Sequence, residues 1–272
     1  MIMIYMLIAI LIACVLYAFS VMGRRGQPGF DKFHHWYYAH RGLHGEGVPE
    51  NSMAAFRKAK DAGFGIELDI HLLKDGSLAV IHDAALRRTT GQEGFVEDLR
   101  AEDLVKFYLE GTQETIPLFS QVLELYDGEA PLIVELKCER NNYAQLCRAT
   151  CEMLDGYKGL YCLESFDPRC VHWLRKNRPD LIRGQLTENY FHSPQSKLPW
   201  ILKFILSWQM MNFLTMPDFV AYRFRDRSHP SNWFARKLWK LHGVSWTLKS
   251  PEEFKLAIDD HCLAIFEGFI PE

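Results

Sequence analysis

The residues of this chain that could do chemistry gather at the ends of short apolar runs. The stretch YAHRGLHGEGVPENS, residues 38–52, sets His40 and Arg41 directly after an aromatic run. In GIELDIH, Glu67 and Asp69 stand two apart, which points both to one side of a strand. VIHD ends in His82 and Asp83, and VELK carries Glu135 and Lys137, again two apart. An apolar core does not accept such groups unpaired, so four successive runs ending this way read as one polar constellation. Glu67, Asp69 and Glu135 offer an all-oxygen set that suits a hard cation, Mg²⁺ or Ca²⁺, and disfavours zinc. Arg41 brings a planar fork of donors and Lys137 a compact charge, both suited to a phosphate. His40 and His82 fit a general acid and base pair near neutral pH. Together these groups describe phosphodiester cleavage better than acyl or hydride transfer. No G-x-S-x-G elbow or G-x-G-x-x-G dinucleotide loop competes with that reading.

Such groups converge only if the elements that carry them do. Apolar runs predict strands at 36–39, 65–70, 78–81, 132–136, 160–165, 181–185, 219–222 and 244–247. Amphipathic stretches predict helices at 52–62 (capped by Asn51), 118–126, 143–154, 168–177, 231–241 and 251–259. Pro168, Pro251 and the Ser231-Asn232 pair mark helix starts. Strands alternating with helices make an α/β protein, a (β/α)8 TIM-type barrel first and a doubly wound sheet second. In a barrel the polar strand ends form the mouth. One interval, 83–115, breaks the rhythm and reads as an insertion after the third strand.

With 272 residues, 48% hydrophobic and 24% charged, one large domain fits. A net charge of -3 supplies no basic stripe and excludes nucleic acid as a partner. Residues 1–23 carry no charged side chain, and a helix over 2–22 would be roughly 32 Å long, enough to span a bilayer. A cleaved signal has its basic residues first and a shorter apolar core, and a buried core helix keeps some polar positions. The expectation is therefore a single-pass anchor in the cell membrane, then a linker at 24–35 and the barrel at 36–272. Arg24, Arg25 and Lys32 put the barrel in the cytoplasm. The seven cysteines, one of them in the span and none in a CxxC pair, read as reduced thiols.

In this order, AHRGLHGEGVPENSMAAF, GIELDIHLLKDGSLAVIHDAALRRTTG, GFVEDL, ETIPLFSQVLEL, IVELK, LESF and VSWTL resemble the glycerophosphodiester phosphodiesterase family over most of 38–247. The resemblance implies a TIM-type barrel, a divalent cation, and hydrolysis of glycerophosphodiesters to glycerol 3-phosphate and an alcohol. It makes His40 and His82 the catalytic pair, Glu67, Asp69 and Glu135 the metal ligands, and Arg41 and Lys137 the phosphate contacts. Trp246 then lines the pocket, and Asn51 lies at the site's edge. It also implies that the glycerol hydroxyl next to the phosphate attacks phosphorus first, giving a cyclic phosphate that water opens. The chain departs from the pattern at Leu73, where Thr is usual, at Lys249, where Asn is usual, and over IFEGFIPE, which matches poorly.

His44 and His71 read as rim or packing residues, His34 and His35 as polar linker, Asp75-Gly76 as a turn, and Arg87 and Arg88 as a solvated loop. The segment 198–219 is apolar most of the way round yet broken by Pro199, Lys203, Gln209 and Asn212. It reads either as a buried barrel helix or as an interfacial helix resting on the bilayer. The second option favours a lipid head-group substrate, in a lysophospholipase D-like or phospholipase-like reaction. A non-catalytic barrel binding a phosphorylated ligand or a partner is a third reading, but it predicts loss of at least one of His40, Glu67, Asp69, His82 or Glu135, and all are present.

Overall fold

In the computed structural model, which describes residues 1–26, 29–194 and 196–271, nine strands follow one another along the chain. They are β1 (Tyr38–His40), β2 (Gly65–Leu72), β3 (Leu78–Val80), β4 (Leu132–Leu136), β5 (Tyr161–Ser165), β6 (Arg183–Thr187), β7 (Phe219–Arg223), β8 (His242–Leu248) and β9 (Cys262–Phe266). Eight of them pair in parallel in the ring β1-β2-β4-β5-β6-β7-β8-β9, and β9 returns to β1 to close the barrel.

The eight staves are not the eight expected. β3 pairs antiparallel with β2 and stands outside the ring. The reason is local: only residues 73–77 join the two strands, and the Leu73 N–H and Ser77 carbonyl close the turn at 2.8 Å. Five residues can make a hairpin but cannot carry a parallel crossover. The excursion therefore starts with β3 rather than after it. It has its own small core, in which Leu73, Leu86, Val96, Leu104 and Ile116 are buried. The missing stave is β9, whose run CLAIF follows the helix Pro251–Asp259.

Helices Met53–Asp61, Phe119–Tyr126, Tyr143–Leu154, Pro168–Asn177 and Pro251–Asp259 lie where the pattern put them. Ser52, not Asn51, caps the first, its hydroxyl accepting from the Ala55 N–H at 3.1 Å. The stretch expected as one helix at 231–241 is a short turn at Pro230–Trp233 followed by a wider π turn at Phe234–Leu238.

Residues read as linker do structural work. Phe30–His35 is a 3-10 turn whose Phe30 and Phe33 are fully buried. Their rings join Tyr38, Ile133, Cys162 and Phe219 in the cluster that fills the barrel. An open barrel end would leave that cluster wet, and two aromatic rings bury enough apolar area to close it.

Ile2–Ser20 is one helix of nineteen residues, about 28 Å long, with none of them buried. Its length and composition suit a membrane span, and a signal sequence would meet the same criteria. Its last turn is clasped by the barrel. Tyr17 packs edge-on against Trp208 and Phe234, with ring centroids 5.5 and 5.1 Å away. Trp239 Nε1 donates to the Ala18 carbonyl, and Arg24 forks onto buried Asp218 at 2.5 and 2.6 Å.

Candidate active site

The strand register sets the carboxylates side by side. Asp69 is opposite Glu135 on β4, and Glu135 is opposite Glu164 on β5. His40, the last residue of β1, is opposite Glu67. Glu67, Asp69 and Glu135 are all buried, and a carboxylate oxygen from each lies within 4.8 Å of the others. Lys137 Nζ sits 3.0 Å from Asp69 and 2.9 Å from Glu135. Arg41 Nε is 3.4 Å from Asp69, and its Nη1 is 2.9 Å from Glu50.

The loop after β1 is folded back to make this possible. Arg41 and Asn51 both adopt left-handed backbone, with φ of 53° and 52°. Such conformations in non-glycine residues cost free energy and collect at functional sites. They let the Arg41 N–H reach Glu67 at 3.3 Å and Asn51 Nδ2 donate to Asp69 at 2.9 Å. Gly42 permits the fold, since a Cβ there would lie 2.8 Å from the Ala55 Cβ.

Burial and mutual repulsion divide the carboxyls. Burial pushes the Glu67 carboxyl well above its ordinary range, helped by the negative charges of Asp69, Glu135 and Glu164. Glu164 is raised in the same way, burial first and Glu135 next. Glu135 is raised by burial against the pull of Lys137. Burial also acts on Asp69, but Lys137, His82 and Arg41 overcome it and hold that carboxyl well below the carboxylate range. Ionised together, these four buried carboxyls would exceed Lys137 and Arg41 by two negative charges, a repulsion that a bound cation would relieve. One oxygen of Glu164 is buried without a hydrogen-bond partner. Hard oxygen donors, excess negative charge and an unsatisfied carboxyl oxygen all fit a divalent cation.

Each histidine leans on a carboxylate. His40 Nδ1 lies 2.5 Å from Glu267, and its Nε2 is 3.8 Å from Glu67. Burial lowers the His40 pKa to about 4, against the opposing hydrogen bond to Glu267. The ring is therefore neutral at physiological pH, with Nδ1–H toward Glu267 and Nε2 free to accept a proton. His82 Nδ1 is 2.5 Å from Asp83. It reaches the mouth from the end of the excluded hairpin and not from a barrel stave. His40, Arg41, Glu67, His82, Glu135 and Trp246 all line one cavity of about 40 Å³, with Glu164 and Phe166. Asp69 and Lys137 do not line the cavity; they stand behind it, joined to Arg41 and Glu135 by ion pairs.

Several residues here were not expected. Glu267 follows β9, in the stretch that matched no pattern, and it also takes Lys249 Nζ at 3.1 Å. Glu164 stands in LESF, one strand on from Glu135. Arg88 is exposed, as a solvated loop residue should be, yet it bridges Asp83 and Glu50, the latter at 2.6 Å, and so ties the His82 side of the mouth to the Arg41 side. His71 is buried; its Nδ1 meets Glu97 at 2.6 Å and its Nε2–H meets the His82 carbonyl at 3.2 Å. That packing role matches expectation, and it fixes the backbone of His82. His44 lies at the rim, 3.8 Å from Glu267.

Residues 40–266 match the model of the glycerophosphoryl diester phosphodiesterase family. A glycerophosphodiester phosphodiesterase of Bacillus altitudinis is 36% identical over 60% of this chain and 71% of its own length. A lysophospholipase D of Rattus norvegicus is 35% identical over 44% of this chain and 41% of its own. Among solved structures, an Oleispira antarctica phosphodiesterase with sn-glycerol-3-phosphate bound superposes with a TM-score of 0.71 at 20% identity, over 85% of this chain and 92% of that one. At that identity the likeness speaks to the barrel.

Proposed function

Because the chain belongs to the glycerophosphoryl diester phosphodiesterase family, we propose that its barrel mouth hydrolyses glycerophosphodiesters to glycerol 3-phosphate and an alcohol. The observation that carries the reading is one small cavity lined by two carboxylate-backed histidines, Arg41 and the buried carboxylates. Glu67, Asp69 and Glu135 would hold the divalent cation, Mg²⁺ or Ca²⁺, which when bound neutralises charge on the phosphate oxygens. Arg41 and Lys137 orient the phosphate, and Trp246 walls the pocket with Phe166, their rings 5.6 Å apart and perpendicular. His40, kept neutral by burial, is the base: Nε2 takes the proton of the glycerol hydroxyl that attacks phosphorus. Glu267 holds the opposite ring nitrogen and stabilises the imidazolium that forms. His82, paired with Asp83, protonates the departing alcohol oxygen. Water then opens the cyclic phosphate, with the two histidines exchanging roles.

The test is glycerol 3-phosphate release from glycerophosphocholine or glycerophosphoethanolamine, with Mg²⁺ or Ca²⁺ and then with chelator. No release with either cation from a folded protein sinks the assignment.

We also propose that Ile2–Ser20 anchors the protein in the cell membrane as a single span, with the barrel in the cytoplasm behind Arg24, Arg25 and Lys32. A reporter active only outside the cytoplasm, fused after the C-terminal residue, should stay silent. A second substrate reading, a lipid head group, is favoured by one observation. Trp200, Ile201, Phe204, Phe213 and Leu214 are exposed on the segment that clasps the N-terminal helix.

A further inference from the structure

A groove of about 860 Å³ opens beside the catalytic cavity, and Phe166 lines both. Its walls include Tyr190, Leu198, Leu202, Ile205 and Met211. Three of its four charged lining residues are paired, Asp167 with Arg169 at 2.6 Å and Glu188 with Arg223 at 2.5 Å, and the fourth, Lys197, is exposed to solvent. An ionic ligand would find only the solvated Lys197 here, whereas an apolar chain would leave water along the Tyr190, Leu198, Leu202, Ile205 and Met211 wall without separating either ion pair. One wall is the helix Trp200–Ser207, which is continuous with Trp208, the residue that holds Tyr17 of the N-terminal helix. If that helix spans the bilayer, the outer end of the groove stands at the membrane surface.

We infer that this groove is an alkyl-chain subsite, and that the enzyme accepts a single-chain glycerophospholipid whose head group lies in the catalytic cavity. The inference rests on the phosphodiesterase reading of that cavity. Its chemistry selects one chain. The attacking hydroxyl must be free next to the phosphate, so a monoacyl lipid qualifies and a diacyl lipid does not. In the net reaction the P–O bond to the head-group alcohol breaks. Water gives its hydroxyl to phosphorus and its proton to the alcohol, leaving a monoacylglycerol phosphate.

The experiment compares two substrates on the full chain in detergent, glycerophosphocholine and a short-chain lysophosphatidylcholine kept monomeric. Leu202 is 41% exposed, so Leu202→Glu places a charge in the groove without opening the core. With that variant, kcat/KM on the lysolipid should fall about tenfold or more, the cost of keeping roughly two methylenes in water. Activity on glycerophosphocholine should stay within about twofold, and Leu202→Met should restore the lysolipid rate. For the wild type, kcat/KM should also climb with chain length. Equal losses on both substrates, or none on either, overturn the groove. If the wild type cleaves neither substrate, the catalytic reading has failed. Lysolipid binding, followed by calorimetry on wild type and Leu202→Glu, then decides the groove by itself: weaker binding in the variant supports it and equal binding rejects it.

Discussion

Replacing Glu267 by Gln tests the least expected part of the site. The amide keeps the shape and one acceptor for His40 Nδ1 but removes the charge 2.5 Å from the ring. A hydrogen bond to a charged group contributes about 1.5–3 kcal/mol, and here it matters most when His40 has become an imidazolium. At 1.36 kcal/mol per tenfold, kcat should fall about 10- to 150-fold. KM should hardly move, because Glu267 is not among the groups assigned to phosphate. Cation affinity should also hold, since Glu67, Asp69 and Glu135 are untouched. The pH profile carries the sign. Glu267 raises the His40 pKa against burial, so its loss should move the acid limb of kcat/KM to lower pH. The assay is steady-state release of glycerol 3-phosphate between pH 4 and 9, beside a cation titration followed by calorimetry. An unchanged kcat, or a loss explained by weaker cation binding, refutes the proposed role.

The two histidines should separate by leaving group. His40→Ala and His82→Ala should each lower turnover of glycerophosphocholine by about 10²–10⁴-fold. A p-nitrophenyl ester of glycerol phosphate, whose leaving group needs no proton, should be largely rescued in His82→Ala only; rescue of both would undo the assignment. Cation-induced stabilisation should depend on pH. Glu67 and Glu164 titrate well above an ordinary glutamate near 4.3, so their protonated forms stabilise the cation-free fold at low pH and that contribution fades as pH rises. The Tm gain from Mg²⁺ should therefore be larger at pH 8 than at pH 5, and a pH-independent gain would argue against these carboxyls as the site. Phe33→Ala should destabilise the barrel by about 3–5 kcal/mol, seen as a fall in Tm, with kcat of the folded fraction preserved. A near-neutral change would mean that the floor is closed by something else.

What the sequence disclosed depended on how local each signal was. Two-residue spacing on one strand put Glu67 with Asp69 and Glu135 with Lys137, and prolines at 168 and 251 marked their helices to the residue. β3 was misplaced although Asp75-Gly76 already announced a tight turn, because an apolar run shows burial and not direction. β9 hid because only Asp260 and His261 separate its five residues from the helix before it, and with it went Glu267. The bridge made by exposed Arg88 leaves no local signal, because its partners, Asp83 and Glu50, come from different loops. Phe30 and Phe33 have no period to betray them. They are buried because the barrel has a floor, which only the closed ring creates.

The pairing of His40 with Glu267 joins residues 227 positions apart, one from the first stave and one from just past the last. The proposed base is therefore fully assembled only when β9 docks on β1 and completes the ring. Such long-range closure is slow relative to local pairing. Until it happens, His40 lacks the carboxylate that orients it, while the β2–β4 carboxylates can already stand together. Activity on a phosphodiester would therefore report that the last stave is seated against the first.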